Sequence, residues 1–345
     1  MTIRLGIIGC SYGKAVMAPA FRADSRCQIV SVAASRQESA DAAASQLGIS
    51  RAFGDWRGLV HDASVDAIAV AVPPHLQPEI VLEVLKTGKP VFAEKPLAVS
   101  IADARRMTEQ AELARVANMV DFNFSAIAPF RQARNMLREN AIGQLRHIVV
   151  NWQTESYTNR VRLQNWKSTS DEGGGSLSNF VSHCLHYLEW FAGPIAGLNA
   201  RLFRLPDDPR PSDSAVNLAI EFQSGAGGML AMSAAAFPGS GHKIEFYGEA
   251  GGLILENSSR DYMRGFRLLC SRRPETVMTP VCVSDQEEDN WEDGRILPLS
   301  CLVRQFYDWI EHGKPARPDF RDALRVQELI EAARVSHQNG WIKTS

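Results

Sequence analysis

An apolar, β-favouring run, Val91–Phe92–Ala93, ends abruptly in Glu94, Lys95 and Pro96. Proline cannot donate to a strand ladder, so the strand stops there. The run is one of several: residues 3–8, 28–34 and 65–72 are similarly apolar, and segments of helical composition separate them. Strands apolar on both faces that alternate with helices build a parallel, doubly wound sheet with right-handed crossovers. Ligands on such a sheet sit beyond the carboxyl ends of the strands, where Glu94 and Lys95 fall. A lysine in a partly desolvated cleft holds an oxygen through its ammonium, and its pKa shifts readily. Taken alone, the pair reads equally well as surface charges at a strand end.

The first strand runs into Gly9-Cys10-Ser11-Tyr12-Gly13-Lys14, and residues 15–22 take a helical composition. Strand, glycine-bearing turn and helix form the context of a dinucleotide fingerprint. Gly9 allows the tight turn and Gly13 a close helix–strand approach. Ser11 stands where a glycine normally admits the pyrophosphate, and its hydroxyl can donate to a phosphate oxygen beside the helix N-terminus. Tyr12 and Lys14 flank that point. A plain strand-to-helix turn would carry the same residues.

The second strand ends in Ser35 and Arg36, where an NAD site places an acid for the ribose hydroxyl. A hydroxyl and a guanidinium suit a 2′-phosphate, so the pair predicts NADP(H) as the preferred cofactor, with NAD(H) as the alternative. Otherwise Arg36 is a solvated residue at the next helix's start. Helices are expected over 38–47, 55–60 and 78–87, and from the Ser100 cap through 114, with a last parallel strand over 116–122. Pro73, Pro74 and His75 follow the third strand and would face one crevice with Lys95.

Composition narrows the classes. The 345 residues suit two domains, 45% are apolar, and the net charge is −2, as in an ordinary soluble protein. There is no basic stripe for nucleic acid and no apolar run long enough for a bilayer. A signal-type start is absent, and the six cysteines include no C-x-x-C pair. A reduced, cytoplasmic protein is expected.

Past residue 122 the period changes. Strand-like runs at 147–154, 215–222, 228–236, 243–247, 253–256 and 266–270 are separated by Gly, Ser, Pro and Asp turns, without helices between the later ones. Strands joined this way are antiparallel. Residues 123–345 are therefore expected to form an α+β domain on an open, mostly antiparallel sheet, with helices over 302–312 and 322–338 packing back on the body. An uncovered sheet face points to a homodimer or homotetramer.

The turn at Gly9 with Pro19-Ala20-Phe21-Arg22, then Ala71-Val72-Pro73-Pro74, then Gly88-Lys89-Pro90 leading to Glu94-Lys95-Pro96-Leu97, and Gly173-Gly174-Gly175 before Ser176 to His183 occur in order. On these the chain resembles the glucose-fructose oxidoreductase, inositol dehydrogenase and rhizopine-catabolism (Gfo/Idh/MocA) family over most of its length. The resemblance implies an N-terminal Rossmann domain, residues 1–122, and a substrate domain beyond it. It also implies an NAD(P)-dependent oxidoreductase of a sugar or polyol. Lys95 would contact both the nicotinamide ribose and the reacting oxygen, with Glu94 beside it.

Residues 176–191 read as a helix on which Asn179 and His183, four apart, share one face. The family usually has Asp-x-x-x-His there, and by that likeness His183 gives or takes the substrate proton, as its ordinary pKa allows. A lone helical histidine is otherwise structural. Asn179 can orient a group but cannot share a proton. His186 stands where a second aspartate is common; His183 and His186 could hold a metal, but no third ligand presents itself, and none is expected. Asn123 and the aromatic and basic stretch with Trp152, Tyr157, Arg160, Arg162, Trp166 and Lys167 are candidate substrate contacts, or anchors of a solvated loop. Two rivals share these motifs: a regulatory NADP-binding protein, and an enzyme that uses a tightly held cofactor catalytically. A reductase of a non-sugar substrate shares them as well.

Overall fold

The computed structural model describes residues 2–283 and 290–344. The chain clusters into two compact units, Met1–Asn123 with Trp291–Gln327, and Phe124–Asn290 with Glu328–Ser345. Residues 291–327, grouped with the second domain on sequence, cluster here with the first unit. The physical reason is aromatic: Phe306 and Tyr307 of the helix Ile296–His312 lie 6.4 and 5.9 Å from Phe21, and Phe306 is 5.7 Å from Phe92. Edge-to-face contacts of this kind add to the area they bury.

The first unit holds six strands: β1 (Ile3–Ile8), β2 (Cys27–Ala33), β3 (Arg51–Phe53), β4 (Ala67–Val70), β5 (Val91–Ala93) and β6 (Asn118–Val120). They pair in parallel in the order β3-β2-β1-β4-β5-β6. Every residue of β4, β5 and β6 is buried, as strands covered on both faces must be. Helices at Gln37–Leu47, Trp56–Val60, Gln77–Lys86 and Ile101–Ala114 connect them. Gly48 closes the first at φ +65°, and Ser100 caps the last by accepting from the Asp103 amide. The edge strand β3 escapes the sequence reading because it has three residues, none of them buried.

In the second unit, nine strands form a mixed sheet: β7 (Leu145–Gln153), β8 (Ile195–Phe203), β9 (Ala215–Phe222), β10 (Gly227–Ser233), β11 (Gly241–Gly248), β12 (Gly251–Asn257), β13 (Arg267–Arg272), β14 (Thr279–Pro280) and β15 (Ile342–Lys343). Their order is β14-β13-β12-β11-β7-β10-β9-β8-β15, antiparallel except where β10 runs parallel to β7. One face is buried by Ile148, Val150, Ile244, Phe246 and Leu255. The other exposes Asn217, Glu221, Met229 and Tyr247. Strand β8 is unheralded because its register shifts between Ile195 and Gly197, which breaks the two-residue period. No helix among the described residues is long and apolar enough to cross a membrane.

Candidate active site

At the carboxyl edge of the parallel sheet, each ladder runs one rung past its strand. The amides of Gly9, Ala71, Glu94 and Asp121 donate to Ala33, Ile8, Val70 and Ala93 at 2.8–3.0 Å. Four connecting loops therefore start in a row. Gly9 has φ +106°, and a Cβ there would sit 2.2 Å from the Ala71 carbonyl oxygen. A Cβ on Gly13 would sit 2.8 Å from Ile7 Cγ2, so the helix that follows packs directly on β1. That helix begins as a single π-turn, Gly13–Met17, and continues to Arg22. Its first-turn amides have no intrahelical acceptor, and the Ser11 hydroxyl beside them is exposed. Such a donor set fits the pyrophosphate of a dinucleotide.

Ser35 and Arg36 lie exposed past the end of β2, with Arg36 in extended conformation just before the helix Gln37–Leu47. Lys14 turns to the same helix and donates to Gln46 Oε1. Pro74 is buried and His75 exposed in the loop after β4, which turns back on itself through the Leu76 amide and Pro73 carbonyl, 2.9 Å apart.

Lys95 owes its place to a side chain that no motif announced. Gln77, fully buried, donates through Nε2 to the carbonyls of Glu94, Pro96 and Leu97 at 3.0, 2.8 and 3.2 Å. Its signal in the sequence was a lone amide at the start of an apolar helix. The second unannounced residue is Asp121, 1% exposed, which accepts from the Tyr12 hydroxyl at 2.7 Å. Arg295 lies 5.2 Å from the Tyr12 ring centroid and is held by Asp293 at 2.6 Å. Burial, then the charge of Asp121, raises the Glu94 carboxyl well above the usual range, against the pull of the Lys95 ammonium. Asp121 is raised by burial and opposed by hydrogen bonds from Glu94 and Tyr12 and by the charges of Lys95 and Arg295.

The other candidates sit in the second unit, apart from Asn123, which closes the first. Asn123 is buried and opens a 3-10 turn, and its Oδ1 accepts no hydrogen bond among the described residues. The helix bearing Asn179 and His183 runs from a π-turn, Leu177–Val181, into Ser182–Ala192. The glycines before it are there because other atoms fill their Cβ positions. A Cβ on Gly174 would meet the Trp166 carbonyl at 2.4 Å, and one on Gly175 (φ +97°) would meet Asp213 Oδ1 at 2.4 Å. Asp213 accepts from the Leu177 amide at 2.8 Å, and burial raises its carboxyl. The Gly175 amide donates to the Lys167 carbonyl at 2.9 Å. The turn carrying Trp166 and Lys167 and the helix carrying His183 are thus built as one piece.

His183 is buried edge-on to Phe124, ring centroids 5.0 Å apart. Asn179 donates its side-chain amide to the Gly175 carbonyl at 2.9 Å, tying down the helix start. Trp152 belongs to the core: it stacks on His242 at 4.2 Å, with His242 Nε2 and the Tyr187 hydroxyl 3.0 Å apart. Burial pushes His242 down to about 3, so it is neutral. Tyr157 is exposed under Arg160, and Arg162 pairs with Asp207, as in a solvated loop. Lys167 Nζ lies 5.6 Å from the Trp166 ring centroid. His186 is buried on the same helix as His183, and no group of three His, Cys, Asp or Glu among the described residues converges as a metal site.

The family model of the oxidoreductase family with an NAD-binding Rossmann fold matches residues 3–122, and that of the GFO/IDH/MocA C-terminal domain matches residues 130–254. Levoglucosan dehydrogenase of Pseudarthrobacter phenanthrenivorans is 23% identical, over 90% of this chain and 88% of its own. Myo-inositol 2-dehydrogenase of Thermotoga maritima is 24% identical, over 74% of this chain and 75% of its own. A solved levoglucosan dehydrogenase in complex with NADH and levoglucosan shares the fold at TM-score 0.89, with 20% identity and 99% of each chain covered. With both of its units matched, the chain belongs to the Gfo/Idh/MocA family of NAD-binding oxidoreductases.

Proposed function

We propose that the chain is an NADP(H)-dependent oxidoreductase acting on a secondary alcohol, or its ketone, in a sugar, polyol or sugar derivative. The observation that carries this reading is the mounting of Lys95: a strand end at the sheet's carboxyl edge, clamped by Gln77. The names of the relatives, levoglucosan and myo-inositol dehydrogenases, support a polyhydroxylated ring as substrate class. Ser11 and the amides of Tyr12, Gly13 and Lys14 hold the pyrophosphate, while Ser35 and Arg36 hold the 2′-phosphate. When bound, the dinucleotide supplies hydride chemistry. Lys95 fixes and polarises the reacting oxygen, and His183 gives or takes its proton. Asn179, whose amide is committed to the Gly175 carbonyl, sets the helix start rather than sharing that proton.

That commitment favours a second reading, a regulatory NADP-binding protein without turnover. Steady-state assays with NADP⁺ and NAD⁺ across a panel of polyols, sugars and anhydrosugars separate the two. Turnover that vanishes in Lys95→Met while cofactor still quenches protein fluorescence supports the enzyme. Cofactor binding without turnover on any substrate defeats it.

A second copy of the chain is the proposed partner for the open face of the nine-stranded sheet, where Met229 (57% exposed) and Tyr247 (42%) stand out from the polar residues. Light scattering after gel filtration tests this: Met229→Asp should shift the mass toward the monomer, and a wild-type monomer rejects it.

A further inference from the structure

Two carboxyl groups lie at neighbouring strand ends on the sheet's carboxyl edge: half-buried Glu94 follows Ala93 of β5, and buried Asp121 follows Val120 of β6, the residue paired with Ala93. Each has one oxygen satisfied. Glu94 Oε2 accepts from the Lys95 amide at 3.1 Å, and Asp121 Oδ2 accepts from the Tyr12 hydroxyl at 2.7 Å. The remaining oxygens, Glu94 Oε1 and Asp121 Oδ1, are closed off from solvent and accept from no donor among the described residues. Leaving two ionised carboxylates together without water is costly, and so is leaving buried oxygens unpaired. A proton between the two oxygens removes both costs at once, as in other carboxyl pairs that hold one proton.

We propose that Glu94 and Asp121 share one proton between Glu94 Oε1 and Asp121 Oδ1, and that the single negative charge left on the pair is a positioning device that keeps Lys95 in place and charged. The proton resides mainly on Glu94, because Tyr12 donates to Asp121 and stabilises its ionised form. The charged and titratable groups facing the pair come from three elements: Tyr12 from the turn after β1, Lys95 from the loop after β5, and Arg295 from the segment before the helix Ile296–His312. The helix Gln77–Lys86 contributes the uncharged Gln77 at its first position. Two independent carboxylates would over-neutralise Lys95, and two neutral acids would leave it without a counter-charge. The assignment of a role to Lys95 rests on the dehydrogenase reading above; the shared proton does not.

The test uses the whole chain without substrate. Infrared difference spectra at neutral pH, wild type minus Glu94→Gln, should show the carbonyl stretch of a protonated carboxylic acid; the difference removes the background of other buried acids such as Asp213. Asp121→Asn should lose the same band, since the new amide donates to Glu94 and lets it ionise. In parallel, the pKa of Lys95 is followed by ¹³C NMR of labelled lysine, assigned by the signal lost in Lys95→Met. Either single substitution keeps one negative charge and should leave that pKa within a few tenths of a unit. The double substitution Glu94→Gln with Asp121→Asn removes the charge and should lower it by about one unit. No infrared difference, or single variants that each move Lys95 as far as the double, overturns the proposal. A Lys95→Met protein that still turns over would instead sink the dehydrogenase reading and leave the infrared result standing.

Discussion

Tyr12 donates its hydroxyl to Asp121 across 2.7 Å, and this bond joins the ends of β1 and β6, between which β4 and β5 lie in the sheet. Tyr12 immediately precedes the helix whose first turn is the proposed phosphate site, and Asp121 sits beside the group that faces Lys95. One hydrogen bond thus links the turn proposed to hold the cofactor to the acid beside Lys95, the proposed catalytic lysine.

Tyr12→Phe keeps the ring under Arg295 and removes only the donor, leaving Asp121 Oδ2 buried without it. Stability should fall by about 1–3 kcal/mol, read from the urea midpoint. Dinucleotide affinity should weaken several-fold, because the turn loses its tie. An unchanged midpoint would mean that the bond contributes nothing net.

Arg36→Ala tests the cofactor assignment. A guanidinium–phosphate contact contributes about 1.5–3 kcal/mol, so the NADPH dissociation constant should rise roughly 10–150-fold. NADH has no 2′-phosphate to lose and should bind as before. If wild-type protein binds NADH at least as tightly as NADPH in fluorescence titration, the assignment of Ser35 and Arg36 is wrong.

Gly175→Ala and Gly48→Ala separate strain from collision. Both glycines have positive φ, but a Cβ on Gly48 meets nothing within 4 Å, whereas one on Gly175 would strike Asp213 Oδ1. The Gly48 substitution should cost about 1 kcal/mol, and the Gly175 substitution at least about 2 kcal/mol more. Only the second should also reduce turnover, since it displaces the start of the helix that carries Asn179 and His183. Thermal denaturation and kcat on the same preparations check both parts.

Asp208 and Arg210 form an ion pair with both side chains 7% exposed, and Arg210 also donates to the carbonyls of Thr158 and Leu163. The hydrogen bond from Arg210 lowers the Asp208 carboxyl from 3.8 to about 2. A depressed carboxyl contributes stability that is present above its unfolded value and lost as pH falls through its folded value. The contribution, about 2–3 kcal/mol, should therefore hold at neutral pH and fade between about pH 4 and pH 2. Urea midpoints of wild type and Asp208→Asn should differ at pH 7, with the gap roughly halved near pH 3 and closing toward pH 2. A gap that stays constant over that range would remove the ion pair as its cause.

The parallel strands could be read from sequence because strands buried on both faces are apolar runs: β4 and β5 are unbroken ones, and β1 and β2 are interrupted only by Arg4 and by Gln28 and Ser31. The turn at Gly9 and the stop at Pro96 were legible for the same reason: each needs a particular backbone, which only a few residue types supply. What supports Lys95 was not legible. Gln77 and Asp121 act through tertiary contacts 17–20 and 109 residues away in the chain, and neither belongs to a local pattern. The aromatic stretch misled in part, since Trp152 looks the same in sequence whether it faces a sugar or stacks on a buried His242.

Gln77 offers the sharpest test of that support. Its Nε2 has two hydrogens for three carbonyls, so no side chain of similar size without an N–H donor can replace it. Gln77→Leu keeps the volume and leaves the carbonyls of Glu94, Pro96 and Leu97 without this donor; it should cost about 1–3 kcal/mol at any pH. Gln77→Glu should behave differently. An ionised carboxylate there would face three carbonyl oxygens in a buried site, so its folded pKa is raised above the ordinary value near 4.3. A group raised in the folded state contributes stability that is full below the unfolded pKa and lost as pH rises through the folded one. The glutamate variant should therefore approach wild-type stability near pH 4 and fall away by pH 8, while the leucine variant shows the same deficit at both. If the two variants track each other across that range, Gln77 is not the clamp that holds the lysine loop.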